Sequence, residues 1–128
     1  MPNKIVNTSN APAPIGPYSQ AVWAGNMLFV SGQIAMNPIT NDLEMTNINV
    51  ETERVMKNIE AILTEAHLSF KHIVKTTIFL SDMNHFAAVN ETYGSYFSKN
   101  FPARETVAVK TLPKNVNVEI SVIAMRTF

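Results

Sequence analysis

Two residues near the C-terminus have side chains suited to polar chemistry. Arg104 follows Phe101-Pro102-Ala103 and opens a strand-like stretch, and a planar guanidinium at such a junction suits two-point capture of a carboxylate or phosphate. Glu119 lies in an apolar-rich stretch, where a carboxylate needs a partner, a proton or solvent, and could act as a general acid or base of raised pKa. Plain surface roles, as a loop-ending arginine and an edge-strand glutamate, stay open for both.

Other familiar patterns for chemistry are missing from the sequence. His67, His72 and His85 share no spacing with a carboxylate that suits a metal site, so surface or capping roles are the simpler interpretation. No Gly-x-Ser-x-Gly is present, and Gly25 and Gly32 stand too far apart for a phosphate-binding glycine loop. Without cysteine there is no thiol nucleophile and no Cys-based zinc site. We therefore expect no metal and no phosphate-bearing cofactor.

Composition narrows the class of protein further. The 128 residues include ten Lys+Arg and ten Asp+Glu, and 46% are hydrophobic. This length predicts a single domain over 1–128, and the apolar content excludes a wholly disordered chain. Net charge near zero argues against nonspecific nucleic-acid binding, which needs many cations. Neither a signal peptide nor a membrane-spanning run is recognisable, so we expect a soluble, cytoplasmic protein with no membrane partner.

The first half of the chain predicts a hairpin followed by a helix. Strand-like runs at Tyr18–Ala24 and Met27–Ile34 are joined by Gly25-Asn26, which tolerates the positive φ of a tight turn. Apolar residues then recur at helical spacing from Val55 to Ala66, with Asn49 as the expected N-cap.

The second half predicts a second helix and three more strands. The helix begins after Ser81-Asp82 and carries apolar residues at helical spacing as far as Phe97. The strands are His72–Leu80, Arg104–Lys110 and Asn117–Arg126. Alternation within the last strand separates two faces, with Val118, Ile120, Val122 and Ala124 on one side and Glu119, Ser121, Ile123 and Met125 on the other.

The resulting order is ββ–α–β–α–ββ, with room for a short N-terminal strand. Two helices can cover only one face of such a sheet, and the face that carries Glu119 is too apolar to be fully solvated. We therefore expect subunits to pack on it. Arg104 and Glu119 could share a sheet face.

Short blocks of sequence recur in an order that is typical of one protein family. They are Ala13–Ala21, Val30–Ile34, Ile73–Thr77, Val89–Tyr93, Phe101–Arg104, and Leu112–Lys114 leading to Val118–Ile120. On these blocks the chain resembles, nearly end to end, the RidA/YjgF family of 2-iminobutanoate/2-iminopropanoate deaminases.

The resemblance implies a fold, an assembly and a reaction. The fold is an α+β subunit with a mixed β-sheet and two helices on one face (chorismate-mutase-like), in a homotrimer with sites between subunits. The reaction is hydrolysis of 2-imino acids, released by pyridoxal-phosphate-dependent dehydratases, to 2-oxo acids and ammonia, with no metal or organic cofactor. Arg104 would bind the substrate carboxylate and Glu119 would position or activate water. The implied pocket also contains Tyr18, Ser31, Gly32, Asn90 and Thr106.

Alternatives and departures from the family pattern bear on the function. A regulatory trimer that binds 2-oxo acids without chemistry is one alternative, and an endoribonuclease or translation inhibitor is another. Glu105 stands where family members commonly have a small residue, and Thr106 where many have cysteine. Strand parity places Glu105 opposite Arg104, so we expect it to point away. The segment 94–101 is shorter than in the prototype, which would alter the rim of the cleft.

Overall fold

A computed structural model describes residues 4–127 as a six-stranded mixed sheet with two helices on one face. The elements in chain order are β1 (Ile5–Val6), β2 (Ala21–Ala24), β3 (Met27–Gln33), α1 (Ile48–Glu65), β4 (Ile73–Leu80), α2 (Phe86–Gly94), β5 (Ala103–Ala108) and β6 (Val118–Met125). The strand order is β1-β2-β3-β6-β4-β5, with β4 and β5 parallel and the other neighbours antiparallel. The α+β fold expected from the sequence is confirmed.

The helix bounds differ from the sequence prediction at both helices. Helix α1 is capped by Asn47, whose extended backbone lets its side chain accept a hydrogen bond from the Val50 N–H at 2.9 Å. The expected cap, Asn49, is wrong because it already lies inside the first turn. Helix α2 ends at Gly94, before the predicted Phe97. The hairpin turn holds Gly25 at a φ of 60°, as its residue types predicted.

The alternation predicted for β6 sorts its residues correctly between the two faces. Val118, Ile120, Val122 and Ala124 are buried in the core that α1 covers with Val55, Ile59 and Ile62. On the other face, apolar side chains reach the surface: Phe29 is 46% exposed, Val107 45% and Met125 38%. Within residues 4–127, neither helix is long and apolar enough to cross a bilayer.

Candidate functional site

Arg104 lies at the start of β5, beneath helix α2. Its guanidinium carbon is 5.2 Å from the centroid of the Tyr93 ring and 5.7 Å from that of Phe86. The Tyr93 hydroxyl donates a hydrogen bond to the Thr76 hydroxyl at 2.9 Å, which fixes the ring. Because a guanidinium over an aromatic face is attracted electrostatically, these rings hold the Arg104 side chain without neutralising it.

The Arg104 side chain forms one wall of an open pocket of about 340 Å³. The pocket is lined by Asn90, Tyr93, Gly94, Phe101, Pro102 and Arg104. No carboxylate in residues 4–127 lies within ion-pairing distance of the Arg104 guanidinium. The pocket therefore combines a free cation with aromatic walls, which suits a small anion that carries an apolar group.

Glu119 is half-buried on the face that the helices leave uncovered. Its side chain lies directly over Gly32, where an added Cβ would be 2.6 Å from Glu119 Oε2. Gly32 sits in a β-bulge of β3, because Val30 pairs with Val122 but Gln33 pairs with Ile120. Burial raises the pKa of the Glu119 carboxyl above its ordinary value.

The proline-rich segment 11–18 lines a cavity together with Gly32 and is held by hydrogen bonds. The buried Gln20 side chain accepts from the Thr8 N–H at 2.7 Å and donates to the Pro12 carbonyl at 2.9 Å. The Ser31 hydroxyl donates to the Ser19 carbonyl at 2.6 Å. Tyr18, at the end of the segment, is 51% exposed and helps to line a cavity of about 40 Å³ that reaches Gly32.

The expectation that Arg104 and Glu119 share a sheet face is wrong within one chain. Arg104 pairs with Thr76 of β4, whereas Glu119 pairs with Phe79 of the same strand. Positions 76 and 79 differ by an odd number, so their side chains point to opposite faces. The predicted residues thus form two separate groups. Tyr18, Ser31 and Gly32 accompany Glu119, and Asn90 accompanies Arg104.

The two positions that depart from the family pattern lie on opposite faces of β5. Thr106 shares the face of Arg104, and its buried hydroxyl has no hydrogen-bond partner in the described part of the chain. Glu105 points away from Arg104, as expected, and its carboxylate is 3.2 Å from Lys75 Nζ. Hydrogen bonds from Lys75 and Thr77 lower the pKa of Glu105. Glu105 therefore does not oppose an anion bound at Arg104.

Two buried polar residues that support these groups were not recognised from the sequence. Gln20 is 2% exposed, and Glu51 is 0% exposed in the first turn of α1. A signal did exist for Glu51, because it extends the buried stripe of Val55 and Ile59 by one turn. Residues 4–127 contain no cluster of three or more His, Asp or Glu that could hold a metal ion.

Known proteins match this chain over almost its whole length. The family model described as endoribonuclease L-PSP matches residues 8–126. A RutC family protein of Pyrococcus horikoshii is 47% identical over 123 residues, which cover 96% of this chain and 98% of that protein. The crystal structure of the E. coli YjgF gene product is 45% identical with a TM-score of 0.92, covering 97% of this chain and 99% of its own. E. coli TdcF with bound serine is 40% identical with a TM-score of 0.92, covering the same shares, 97% and 99%.

Proposed function

The chain belongs to the endoribonuclease L-PSP family, also called YjgF/RidA, and from this premise we propose that it is a 2-imino acid deaminase. Its substrates are small 2-imino acids such as 2-iminobutanoate and 2-iminopropanoate, and its products are the 2-oxo acids and ammonia. The observation that carries the proposal is the Arg104 guanidinium, stacked on two rings and unpaired in the described chain, at the wall of an open pocket.

Arg104 supplies the anchor for the substrate carboxylate. Hydrogen bonds between charged groups contribute roughly 1.5–3 kcal/mol each, which is a large share of the binding energy for so small a ligand. Asn90 and the Phe101 ring, which line the same pocket, then contact the rest of the substrate. A substrate contact by Thr106 stays a prediction from the sequence, because its hydroxyl is buried and Thr106 does not line this pocket.

Glu119 supplies the proton transfers. Water attacks the imine carbon as the Glu119 carboxylate accepts a proton from it, so that a C–O bond forms and the π bond of C=N breaks. Glu119 passes this proton to the nitrogen, which leaves a carbinolamine. Glu119 then accepts the hydroxyl proton and delivers it to the amino nitrogen as the C–N bond breaks, so ammonia leaves and the 2-oxo group forms. The raised pKa of Glu119 brings the base nearer to neutral pH, and such general base catalysis contributes typically about 10²–10⁴-fold. Tyr18, Ser31 and Gly32 enclose this side of the site.

The proposed site is shared between subunits of a homotrimer. One chain holds Arg104 and Glu119 on opposite faces of its sheet, so it does not bring both to one small ligand. Packing of the uncovered face against a second copy would cover Phe29, Val107 and Met125, which are exposed in the single chain. The Glu119 group of one subunit then meets the Arg104 pocket of its neighbour.

A coupled assay tests the reaction. A threonine dehydratase turns over threonine in the presence of an imine trap, and release of 2-oxobutanoate is followed with and without this protein. We expect the wild type to accelerate release, and Arg104→Ala and Glu119→Gln each to remove most of the acceleration. No acceleration by the wild type would refute the proposal.

A mixing experiment tests the shared site. Co-refolding the two inactive variants in equal amounts should recover roughly a quarter of the wild-type rate, because that fraction of interfaces combines an intact Arg104 with an intact Glu119. No recovery from a mixture that light scattering shows to be trimeric, or a monomeric mass near 14.2 kDa, would contradict the shared site.

Binding of a 2-oxo acid without chemistry is the second candidate. The TdcF relative holds serine, a small molecule with a carboxylate, and the Arg104 pocket could bind 2-oxobutanoate in the same way. Calorimetric binding without imine turnover, unaffected by Glu119→Gln, would favour this candidate.

Endoribonuclease activity, named in the family description, has less support from the chain. Equal numbers of cationic and anionic side chains leave little driving force for an RNA groove. RNA cleavage that persists in Arg104→Ala after extensive purification would reverse this judgement. A cytoplasmic location stays a prediction from the sequence.

A further inference from the structure

Glu51 is a fully buried carboxylate that the proposed chemistry does not use. Its Oε2 accepts hydrogen bonds from the main-chain N–H groups of Asn117 at 2.7 Å and Val118 at 3.2 Å. Its Oε1 accepts from the Asn117 side-chain amide at 2.9 Å. Helix α1, on one side of the sheet, is thus hydrogen-bonded to the two residues that immediately precede Glu119.

Asn117 is also held from the end of β4. The Ser81 N–H donates to the Asn117 carbonyl at 3.0 Å, and the Ser81 hydroxyl donates to Asn117 Oδ1 at 2.9 Å. Main-chain and side-chain groups of Asn117 are therefore fixed from two directions. The start of β6 has little freedom to shift along or across the sheet.

The side of β6 that faces β3 offers less support at this point. Pairing between β3 and β6 is interrupted between Val30 and Gln33, and the residue beneath the Glu119 side chain is Gly32, which has no side chain to brace it. The regular pairing that remains is with β4, where Glu119 lies opposite Phe79. The position of Glu119 therefore depends strongly on the contacts that Glu51 makes just before it.

We propose that Glu51 is a positioning residue for Glu119: by fixing the main chain at 117–118 it holds the Glu119 carboxylate where the attacking water must give up its proton. The inference rests on the proposed deaminase function and assigns Glu51 no contact with substrate. A role confined to folding would lower the thermal stability of a Glu51 variant and leave the chemistry of the folded fraction unchanged.

Replacement of Glu51 separates positioning from stability. Glu51→Ala removes all three acceptor contacts, and we expect kcat to fall by about 10–100-fold, the cost of a small displacement of a reacting group. The KM for the imine and the Kd for 2-oxobutanoate should stay unchanged, because Arg104 is untouched. Glu51→Gln keeps one oxygen that can accept the two main-chain N–H bonds, so it should restore most of kcat.

A stability control comes from the same helix. Leu63→Ala removes a fully buried side chain of α1 that makes no hydrogen bond to β6, so it should lower Tm and leave kcat of the folded protein unchanged. Should Glu51→Ala not fold, Asn117→Ala removes the bonds to Glu51 Oε1 and to the Ser81 hydroxyl alone, and it should lower kcat to a smaller degree. Wild-type kcat in folded Glu51→Ala or Asn117→Ala, or a loss matched by Leu63→Ala, would overturn the inference.

Carboxyl NMR keeps this inference separate from the proposed function. We expect the ¹³C resonance of the Glu119 carboxyl to move and the Val118 amide to exchange faster in Glu51→Ala than in the wild type. If the wild type shows no imine turnover, the deaminase proposal fails, and these two signals still report whether Glu51 holds Glu119. An unchanged resonance together with unchanged exchange would overturn the positioning role whatever the activity.

Discussion

Replacing Gly32 with alanine tests directly whether the position of the Glu119 carboxylate controls turnover. An ideal Cβ at this position would lie 2.6 Å from Glu119 Oε2, 2.9 Å from Cδ and 3.1 Å from Cγ. Ordinary contacts begin at 3.4 Å, so the carboxylate oxygen must retreat by about 0.8 Å. Gly32 does not have the positive φ that would strain an alanine. The atoms that the new Cβ would contact all belong to the flexible Glu119 side chain. The fold should therefore accept the change while the carboxylate moves.

The expected loss follows from that displacement. A shift of about 1 Å in a reacting group can cost as much as 10²-fold in rate, so we expect kcat of Gly32→Ala to fall by about 10–100-fold. Gly32→Ala leaves the contacts of Arg104 with Tyr93 and Phe86 intact, so Arg104 can still bind the carboxylate and the affinity for 2-oxobutanoate should change far less than kcat.

The assay is the coupled dehydratase reaction, run on four proteins that form a double-mutant cycle. They are the wild type, Gly32→Ala, Glu119→Gln and the double variant. If alanine acts by displacing the carboxylate, it should reduce the small residual rate of Glu119→Gln very little. Wild-type kcat in Gly32→Ala, or an equal loss in both backgrounds, would refute this reasoning.

Four further predictions follow from the charges of Arg104 and Glu119 and from the unpaired Thr106 hydroxyl. Arg104→Lys should weaken 2-oxobutanoate binding about tenfold in calorimetry, because an ammonium lacks the planar two-point fork; unchanged affinity would contradict the anchor. Since burial raises the pKa of Glu119 and the base must be ionised, kcat should fall as pH drops through that pKa. Because folding disfavours the charged form of Glu119, the protein is most stable below the ordinary pKa of a glutamate and loses that stability as pH rises through the raised pKa of the folded state. Glu119→Gln cannot ionise, so it should raise Tm at neutral pH. An unchanged Tm would contradict this linkage. Thr106→Val replaces a buried hydroxyl that lacks a partner in residues 4–127, so it should raise the free energy of unfolding by roughly 1 kcal/mol; a lowered Tm would show that the hydroxyl makes a contact in the assembled protein.

Local patterns in the sequence predicted most of the fold. The alternation around Val118 and Ile120 depends only on strand geometry, and the turn at Gly25 depends only on backbone freedom, so both could be predicted without knowledge of distant contacts. The N-cap of α1 was misassigned because Asn47 and Asn49 are chemically the same and differ only in backbone conformation.

The relation between the two reactive groups could not be predicted in the same way. Parity sorts residues within a strand, but the faces of Arg104 and Glu119 can be compared only through their register with β4, which lies between their strands. That register depends on long-range pairing. The role of Glu51 was hidden for a related reason, since its partners Asn117 and Val118 lie more than sixty residues away in sequence.

The bulge in β3 contains one residue more than the sheet requires. Val30 and Gln33 both point into the core although they are three positions apart, so removing the codon for Gly32 would leave a strand with regular alternation and the same inward side chains. Such a deletion would keep the hydrophobic core and remove the gap that receives the Glu119 side chain. We therefore expect a single in-frame deletion to preserve the fold and to remove the chemistry.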